Sequence, residues 1–316
     1  MNILTVTPNP SLDRTYEVSG LRRGAVLRAT GEYVDPGGKG VNVSRVVSAA
    51  GHRTVAVLPL GGTTGALVAE LLGAEGIDVA TVPVVGHTRS NIAVVEADGT
   101  LTKINAPGPE LSGAEAESLL AAVREHAGPA DWIACCGSPP RGLDPQWYAD
   151  LVARARATGA KVALDTSGPA LIAALGARPH IVKPNAHELA QAVGRPLITV
   201  GDAVQAAEEL RELGAGMVLA TLGADGQLLV TSLGTYFAHA PVDAVRSDVG
   251  AGDASLAGFL TAGGAGPRAL AAAVAHGAAA VQLPGSVMPA PADLAAAPVT
   301  VTEAVPVDRP LSEPAS

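Results

Sequence analysis

Asp253 stands directly after three small residues, Gly250, Ala251 and Gly252, in the segment DVGAGDAS, which opens an apolar helical run, SLAGFLTAG. Small residues let backbone N–H groups face a ligand, and a following helix places its positive end there, so the segment suits an anion. A carboxylate beside such a cradle can take the proton of an attacking hydroxyl while the N–H groups hold charge developing on a transferred phosphoryl group. The same residues also fit a glycine-rich turn in which Asp253 merely favours the helix N-terminus electrostatically. Taken alone, the segment leaves both readings open.

A second glycine-rich segment, PGGKGVNVSRVV, runs from Pro36 to Val47. It is not a Walker loop, because Gly40 follows Lys39 where Ser or Thr is needed and Tyr33 occupies the opening position. Lys39 and Asn42 at the mouth of a helix suit the polar end of a substrate, although a helix start with an exposed lysine is the simpler reading of the segment in isolation. Asp13 closes the loop after the first strand, Lys183, Asn185 and Glu188 (KPNAHE) lie at the end of a later one, and Thr221 to Gly226 (TLGADG) joins two strand-like runs. Each has a plain structural explanation: a turn, a helix cap, a hairpin with Gly226 at positive φ. Their common placement at strand ends, beside two anion cradles, is what favours a site. GAGDAS and GAGPRA fail as dinucleotide fingerprints, the first through Ser255 and the second through Pro267 and its position after a helix, which speaks against a nicotinamide-dependent dehydrogenase.

The elements that must position these groups read as alternating strands and helices. Strands are expected at Ile3–Thr7, Thr54–Leu58, Trp132–Cys136, Val162–Asp165, Ile181–Lys183 and Val218–Thr221, with early helices at Val41–Ala50 and Ala66–Glu75. This is the pattern of an α/β fold, a parallel sheet with helices on both faces and ligands at the strand C-terminal ends. Two stretches, Thr15 to Asp35 and Val79 to Ile104, hold strand-like pieces without helices and suggest a small β-sheet lid, about 14–36 and 79–105. One domain is expected over 1–285, followed by a Pro- and Ala-rich tail, 286–316, whose composition predicts disorder and no catalytic part.

Composition narrows the function classes. A chain of 316 residues, 48% hydrophobic, can bury a large core, while an aromatic share of 3% argues against stacking on nucleic-acid bases. A net charge of −9 gives no basic footprint for nucleic acid or an anionic membrane, so a bound anion must be gripped locally. The two cysteines, Cys135 and Cys136, are neighbours in an apolar run, which offers neither a disulfide framework nor a metal site and fits a reducing, cytoplasmic setting. The start lacks a basic flank and a long apolar core, and the apolar stretch Ala269–Leu283 is too short to span a bilayer and reads as a buried helix.

GGKGVN and VGAGD, in that order, resemble the two signatures of the ribokinase/PfkB carbohydrate kinase family, and the likeness runs from the first strand to about Leu283. Within it, TPNPSLDRTY, TRSNIAV, INAPGP, GSPPRGL, LDTSGPAL, IVKPNAHEL, LGADG and LPG look like their counterparts in the 1-phosphofructokinase and tagatose-6-phosphate kinase branch. The resemblance implies a ribokinase-like three-layer α/β/α sandwich with a β-sheet lid, ATP as donor and Mg²⁺ bridging its phosphates. It implies Asp253 as base and Gly250, Ala251 and Gly252 as the anion hole. Asp13, Gly38, Lys39, Asn42, Arg89, Asn105 and Ser138 would line the sugar-phosphate site, with Arg89 and Lys39 holding phosphate. Lys183, Asn185, Thr221, Gly223 and Gly226 would face the nucleotide, and Glu188 would act on Mg²⁺ through water.

The expected reaction is phosphorylation of fructose 1-phosphate to fructose 1,6-bisphosphate. Tagatose 6-phosphate and fructose 6-phosphate remain alternatives, as does a non-catalytic sugar-phosphate sensor, and a homodimer through the lid is a further expectation of the resemblance. Three positions depart from the family pattern: Lys103 stands where Glu is frequent, Asp248 where a neutral residue is common, and Pro139 where Leu is frequent. None removes a catalytic group.

Overall fold

Runs that are apolar at every position become strands covered on both faces, and here they build the centre of the molecule. The computed structural model describes residues 1–295 and 298–315. Its strands, in chain order, are β1 (Asn2–Val6), β2 (Ser11–Val18), β3 (Gly31–Gly37), β4 (Arg53–Leu60), β5 (Asp78–Pro83), β6 (Arg89–Glu96), β7 (Leu101–Ile104) and β8 (Trp132–Cys136). There follow β9 (Lys161–Asp165), β10 (Ile181–Val182), β11 (Leu197–Thr199), β12 (Val218–Thr221), β13 (Gln227–Thr231), β14 (Gly234–His239), β15 (Thr300–Thr302) and β16 (Pro310–Ala315). The helices are α1 (Lys39–Ala49), α2 (Gly62–Ala74), α3 (Gly113–His126), α4 (Gln146–Ala157), α5 (Gly168–Leu175), α6 (Ala186–Val193), α7 (Val200–Glu212), α8 (Ala251–Thr261) and α9 (Gly266–Ala280).

The main sheet has ten strands in the order β15-β14-β13-β12-β10-β9-β8-β1-β4-β5. From β5 to β12 neighbouring strands are parallel, and from β12 to β15 they are antiparallel. Side chains alternate between its faces. On β8, Ile133 and Cys135 pack with Leu119, Leu151, Leu171 and Leu210 of α3, α4, α5 and α7, whereas Trp132, Ala134 and Cys136 pack with Val43, Phe259 and Leu270 of α1, α8 and α9. The two cysteines therefore face opposite layers, both fully buried, and burial pushes the Cys135 thiol up to about 12. The result is the α/β/α sandwich expected from the alternation.

Four strands form a second sheet, β3-β2-β6-β7, which leaves the main sheet directly after β1. Its extent differs from expectation. β5 pairs parallel with β4 in the main sheet, so the second excursion begins at Arg89 rather than near Val79. An edge strand buried on one face shows the same alternation as an appended one, and the sequence cannot separate the two.

The tail also departs from its expectation of disorder. Thr300–Thr302 extends the main sheet beside β14, and Pro310–Ala315 pairs antiparallel with β11. Leu311 and Ala315 are 5% and 7% exposed and join the core that holds Leu197 and Val200. Average composition hid these few spaced anchors among prolines and alanines. Residues 296, 297 and 316 of that segment lie outside the described residues. No helix among the described residues is long and apolar enough to cross a membrane.

A docked tail predicts that Leu311→Ala destabilises the protein by about 2–4 kcal/mol, the usual cost of emptying a buried leucine site. Urea unfolding indistinguishable from that of the unsubstituted chain would mean that the tail does not contribute to the core.

Candidate functional site

The C-terminal ends of β1, β9, β10 and β12 meet the N-termini of α1, α6 and α8, and the charged residues of the chain's glycine-rich segments converge there. Gly250 caps α8 in the left-handed region, φ 75°, where a side chain would also strike Met288. Gly38 does the same for α1 at φ 123°, with a side-chain Cβ placed 2.7 Å from Thr7 Cγ2. Both helices thus begin in backbone conformations that glycine alone adopts without strain.

Asp253, 6% exposed in the first turn of α8, accepts a 2.8 Å hydrogen bond from Asn42 Nδ2 of α1. Burial, reinforced by the nearby Asp165 carboxylate, pushes its pKa up to about 6, against the pull of Lys39, Asn42 and Lys183. Beside it lies a chain of charges. Lys39 Nζ is 2.6 Å from Asp165 Oδ1 and 3.2 Å from Glu188 Oε1, and Lys183 Nζ is 3.0 Å from Asp165 Oδ2. Burial would raise Asp165, but the two ammonium groups outweigh it and hold the carboxyl below the ordinary range. Burial would likewise lower Lys39, yet Asp165, with Glu188 and Asp253, raises it. A Cβ at Gly252 would sit 3.0 Å from Lys183 Nζ, so this lysine lies against the N–H cradle of α8.

Lys39 occupies a different place from the one expected for a sugar-phosphate holder. It is directed at Asp165 and Glu188, and so ties α1 to the opposite, KPNAHE side of the site. The reason is electrostatic: a fully buried carboxylate needs compensating charge, and two lysines supply it.

The second sheet brings Asp13 and Arg89 over the ends of the strands. Asp13 Oδ1 accepts from Ser11 Oγ at 2.7 Å and Asn91 Nδ2 at 2.9 Å, while burial raises its pKa in spite of these bonds. Arg89 donates to the carbonyls of Ala106 at 2.9 Å and Asn9 at 3.0 Å, and its Nε is buried without a hydrogen-bond partner. Burial lowers its pKa, and Asp13 counteracts this. Ser138, exposed, accepts from Asn9 Nδ2 at 3.3 Å, and Asn105 is exposed at the end of β7.

On the other side, Asn185 caps α6 in a reciprocal box: its Oδ1 accepts from Glu188 N at 2.8 Å while Glu188 Oε2 accepts from Asn185 N at 2.9 Å. Thr221 N donates to Pro184 O at 3.1 Å, which joins the two segments, and the β12–β13 turn holds Gly223 and Gly226 at positive φ. The cap and hairpin explanations thus hold for these residues, and the fold nonetheless gathers them beside Asp253. Among the described residues no group of three or more His, Cys, Asp or Glu could hold a metal. What is present is Glu188, a hard oxygen donor 13% exposed at the site's mouth. That fits a Mg²⁺ carried on phosphates with most of its waters, and does not fit a cage of protein ligands.

Three participants escaped the sequence reading. Asp165, whose signal was an acid at a strand's C-terminal end, is the hub of the charge chain. Asn91 lies two residues from Arg89 and so shares its strand face, a signal available from the period alone. Asn9 lies in a loop and carried no such signal. The two unusual residues Lys103 and Asp248 pair with each other at 3.0 Å, linking β7 to the segment that leads into Gly250. Lys103 therefore neither points freely into solvent nor stands alone in the site.

A carboxylate buried in the first turn of α8, two lysines at strand ends and a second sheet beside them lie together on an α/β sandwich. Residues 7–293 match the pfkB family of carbohydrate kinases, and the chain belongs to that family. It is therefore a carbohydrate kinase. It is 39% identical to the 1-phosphofructokinase of Rhodobacter capsulatus over 307 residues, 96% of this chain and 97% of that one. The ATP-dependent 6-phosphofructokinase isozyme 2 of Mycobacterium tuberculosis is 34% identical over 290 residues, 90% and 85% of the two chains. In three dimensions, phosphofructokinase-2 of Escherichia coli, solved with substrates and products, superimposes with a TM-score of 0.87 at 34% identity, covering 93% of this chain and 97% of that one.

The charge chain predicts that Asp165→Asn, which leaves Lys39 and Lys183 without their shared carboxylate, costs about 3–5 kcal/mol of stability. Replacing Lys183 by Met as well should recover part of that loss in urea unfolding; a double variant weaker than the sum of the singles would contradict the pairing.

Proposed function

We propose that the chain transfers the γ-phosphoryl group of ATP to the C6 hydroxyl of fructose 1-phosphate, giving ADP and fructose 1,6-bisphosphate, with Asp253 as general base. The observation that carries this reading is Asp253 itself: buried in the first turn of α8, oriented by Asn42 and with its pKa near 6. A base so tuned is ionised at neutral pH and still accepts a proton. The proton of the C6 hydroxyl passes to Asp253 as O6 bonds to the γ-phosphorus and the bond from that phosphorus to the β,γ-bridging oxygen breaks.

The N–H groups at Gly250, Ala251 and Gly252 hold the charge of the transferring group, with Lys183 beside them. Asp13, Gly38, Asn42, Asn91, Asn105 and Ser138 orient the sugar, and Arg89 holds its phosphate. Lys39, between the two ends of the site, adds positive charge where the sugar and ATP meet. Asn185, Thr221, Gly223 and Gly226 line the nucleotide, and Glu188 would hold Mg²⁺ through water. When bound, Mg²⁺ would supply positive charge that neutralises the phosphates of ATP. The four-stranded sheet acts as a lid whose closure excludes water from the transfer. Ile92 and Ile104, opposite each other in register and 37% and 58% exposed, support a homodimer through that sheet; sedimentation showing only monomer would remove it.

Similarity to the 1-phosphofructokinase over nearly the whole of both chains favours fructose 1-phosphate. A 6-phosphate substrate would enter reversed, offering its C1 hydroxyl. ADP release with ATP and Mg²⁺, compared for fructose 1-phosphate, fructose 6-phosphate and tagatose 6-phosphate, should be fastest for the first. Preference for a 6-phosphate would reverse the sugar in the site, and ligand binding without ADP release would leave a sensor.

Two further outcomes are expected. Asp253→Asn lowers kcat by about 10²–10⁴-fold with the fold retained, and near-normal turnover would remove Asp253 as base. Protonated Asp253 cannot accept a proton, so kcat/KM should be lost as pH falls through about 6 and be present above it. Lys39→Met removes a cation that lowers this pKa and should move the acid limb to higher pH; an unmoved limb would mean that another group titrates.

A further inference from the structure

The last stretch of the chain lies beyond the part that matches the family, which ends at residue 293, and it reaches back to the Thr221–Gly226 turn. β16 is fixed by its pairing with β11 and by Leu311 and Ala315 in the core. From that anchored segment two residues grip Asp225. Ser312 donates twice to its carboxylate, from N to Oδ2 at 2.7 Å and from Oγ to Oδ1 at 2.9 Å. Arg309 Nη2 donates to the Asp225 carbonyl at 2.6 Å and lies 3.8 Å from Oδ1. The Arg309 guanidinium also sits 4.8 Å from the ring centroid of Phe237 on β14, and a Cβ at Gly226 would meet the same ring at 3.0 Å. The Asp225 side chain is only 11% exposed as a consequence.

The turn needs such support. Within it Leu222 N donates to Gly226 O at 2.8 Å and Asp225 N to Leu222 O at 3.1 Å, but the bond from Gly226 N to Gly223 O is long, 3.4 Å, and Gly223 has open space on its side-chain side. A turn with two glycines, held by these backbone bonds alone, keeps conformational freedom that must be removed by whatever binds it, at a cost in affinity. Fixing both the carboxylate and the carbonyl of Asp225 removes that freedom in advance.

We propose that Arg309 and Ser312 are positioning residues for the nucleotide: through Asp225 they hold the Thr221–Gly226 turn in its binding conformation, and the C-terminal segment is thereby part of the ATP site. The inference rests on the reading that places this turn on the nucleotide side. The test measures ATP binding by calorimetry, separately from turnover, for the unsubstituted chain, Ser312→Ala, the pair R309A/S312A, Ser312→Thr and Leu72→Ala. The pair should raise the Kd and KM for ATP about tenfold, leaving the KM for fructose 1-phosphate and the kcat at saturating ATP within about twofold. Ser312→Ala, at an exposed position, should fold normally and shift ATP in the same direction, and Ser312→Thr, which keeps the hydroxyl, should restore it. An unchanged ATP Kd in R309A/S312A, equal weakening of ATP and sugar phosphate, or the same ATP loss in Leu72→Ala, which empties a site in a core cluster separate from the one that holds the tail, would overturn the proposal, the last by showing general loosening. Tight ATP binding by the unsubstituted chain without phosphorylation of any sugar phosphate would sink the proposed reaction while leaving the role of the tail to be decided by the same Kd values.

Discussion

A fully buried carboxylate governs the architecture of this site. Asp165 lies at the end of a central strand with no access to solvent, where an uncompensated charge would cost several kcal/mol. Lys183 meets it from the next strand of the sheet, and Lys39 meets it from the first turn of α1, which is distant in sequence. Both lysines are thereby fixed, and with them the relative placement of α1, the β10–α6 connection and the cradle of α8. Asp253 takes its character from the same arrangement. Its burial and the Asp165 charge raise its pKa, while the lysines and Asn42 keep the rise moderate. Tuning of the Asp253 carboxyl and positioning of the cations are a single electrostatic problem with one solution.

Backbone geometry supplies the second constraint. α1 and α8 start side by side from glycines at positive φ, and this brings their first turns close enough for Asn42 to bond Asp253. The four-stranded sheet leaves directly after β1, so that Asp13 and Arg89, one on each of two paired strands, hang over the strand ends. The Lys103–Asp248 pair stitches that sheet to the approach of α8. Exposed as it is, it contributes little to stability. Its place matters more: it joins the second sheet to the segment that opens α8. These residues are also the two charged departures from the family pattern, and they sit in contact.

What the sequence by itself determined was local. Apolar runs of β-branched residues specified strands, small residues before Asp253 and Lys39 specified helix starts that suit anions, and strand-end positions marked where the charged residues gather, because each follows from the chemistry of near neighbours. The order of GGKGVN and VGAGD, with the motifs between them, was enough to indicate the family. Only the tertiary structure decided which charges meet. Lys39 reads as an exposed lysine or a phosphate holder until Asp165 appears 126 positions away in sequence, and no periodicity connects them. It also assigned β5 to the main sheet, since an edge strand and an appended strand share one pattern. It docked a tail whose composition suggests disorder, because a few spaced apolar residues find a groove only once the rest of the core exists. Pairing between distant segments depends on the whole chain's path, and that information is not carried by any one stretch of residues.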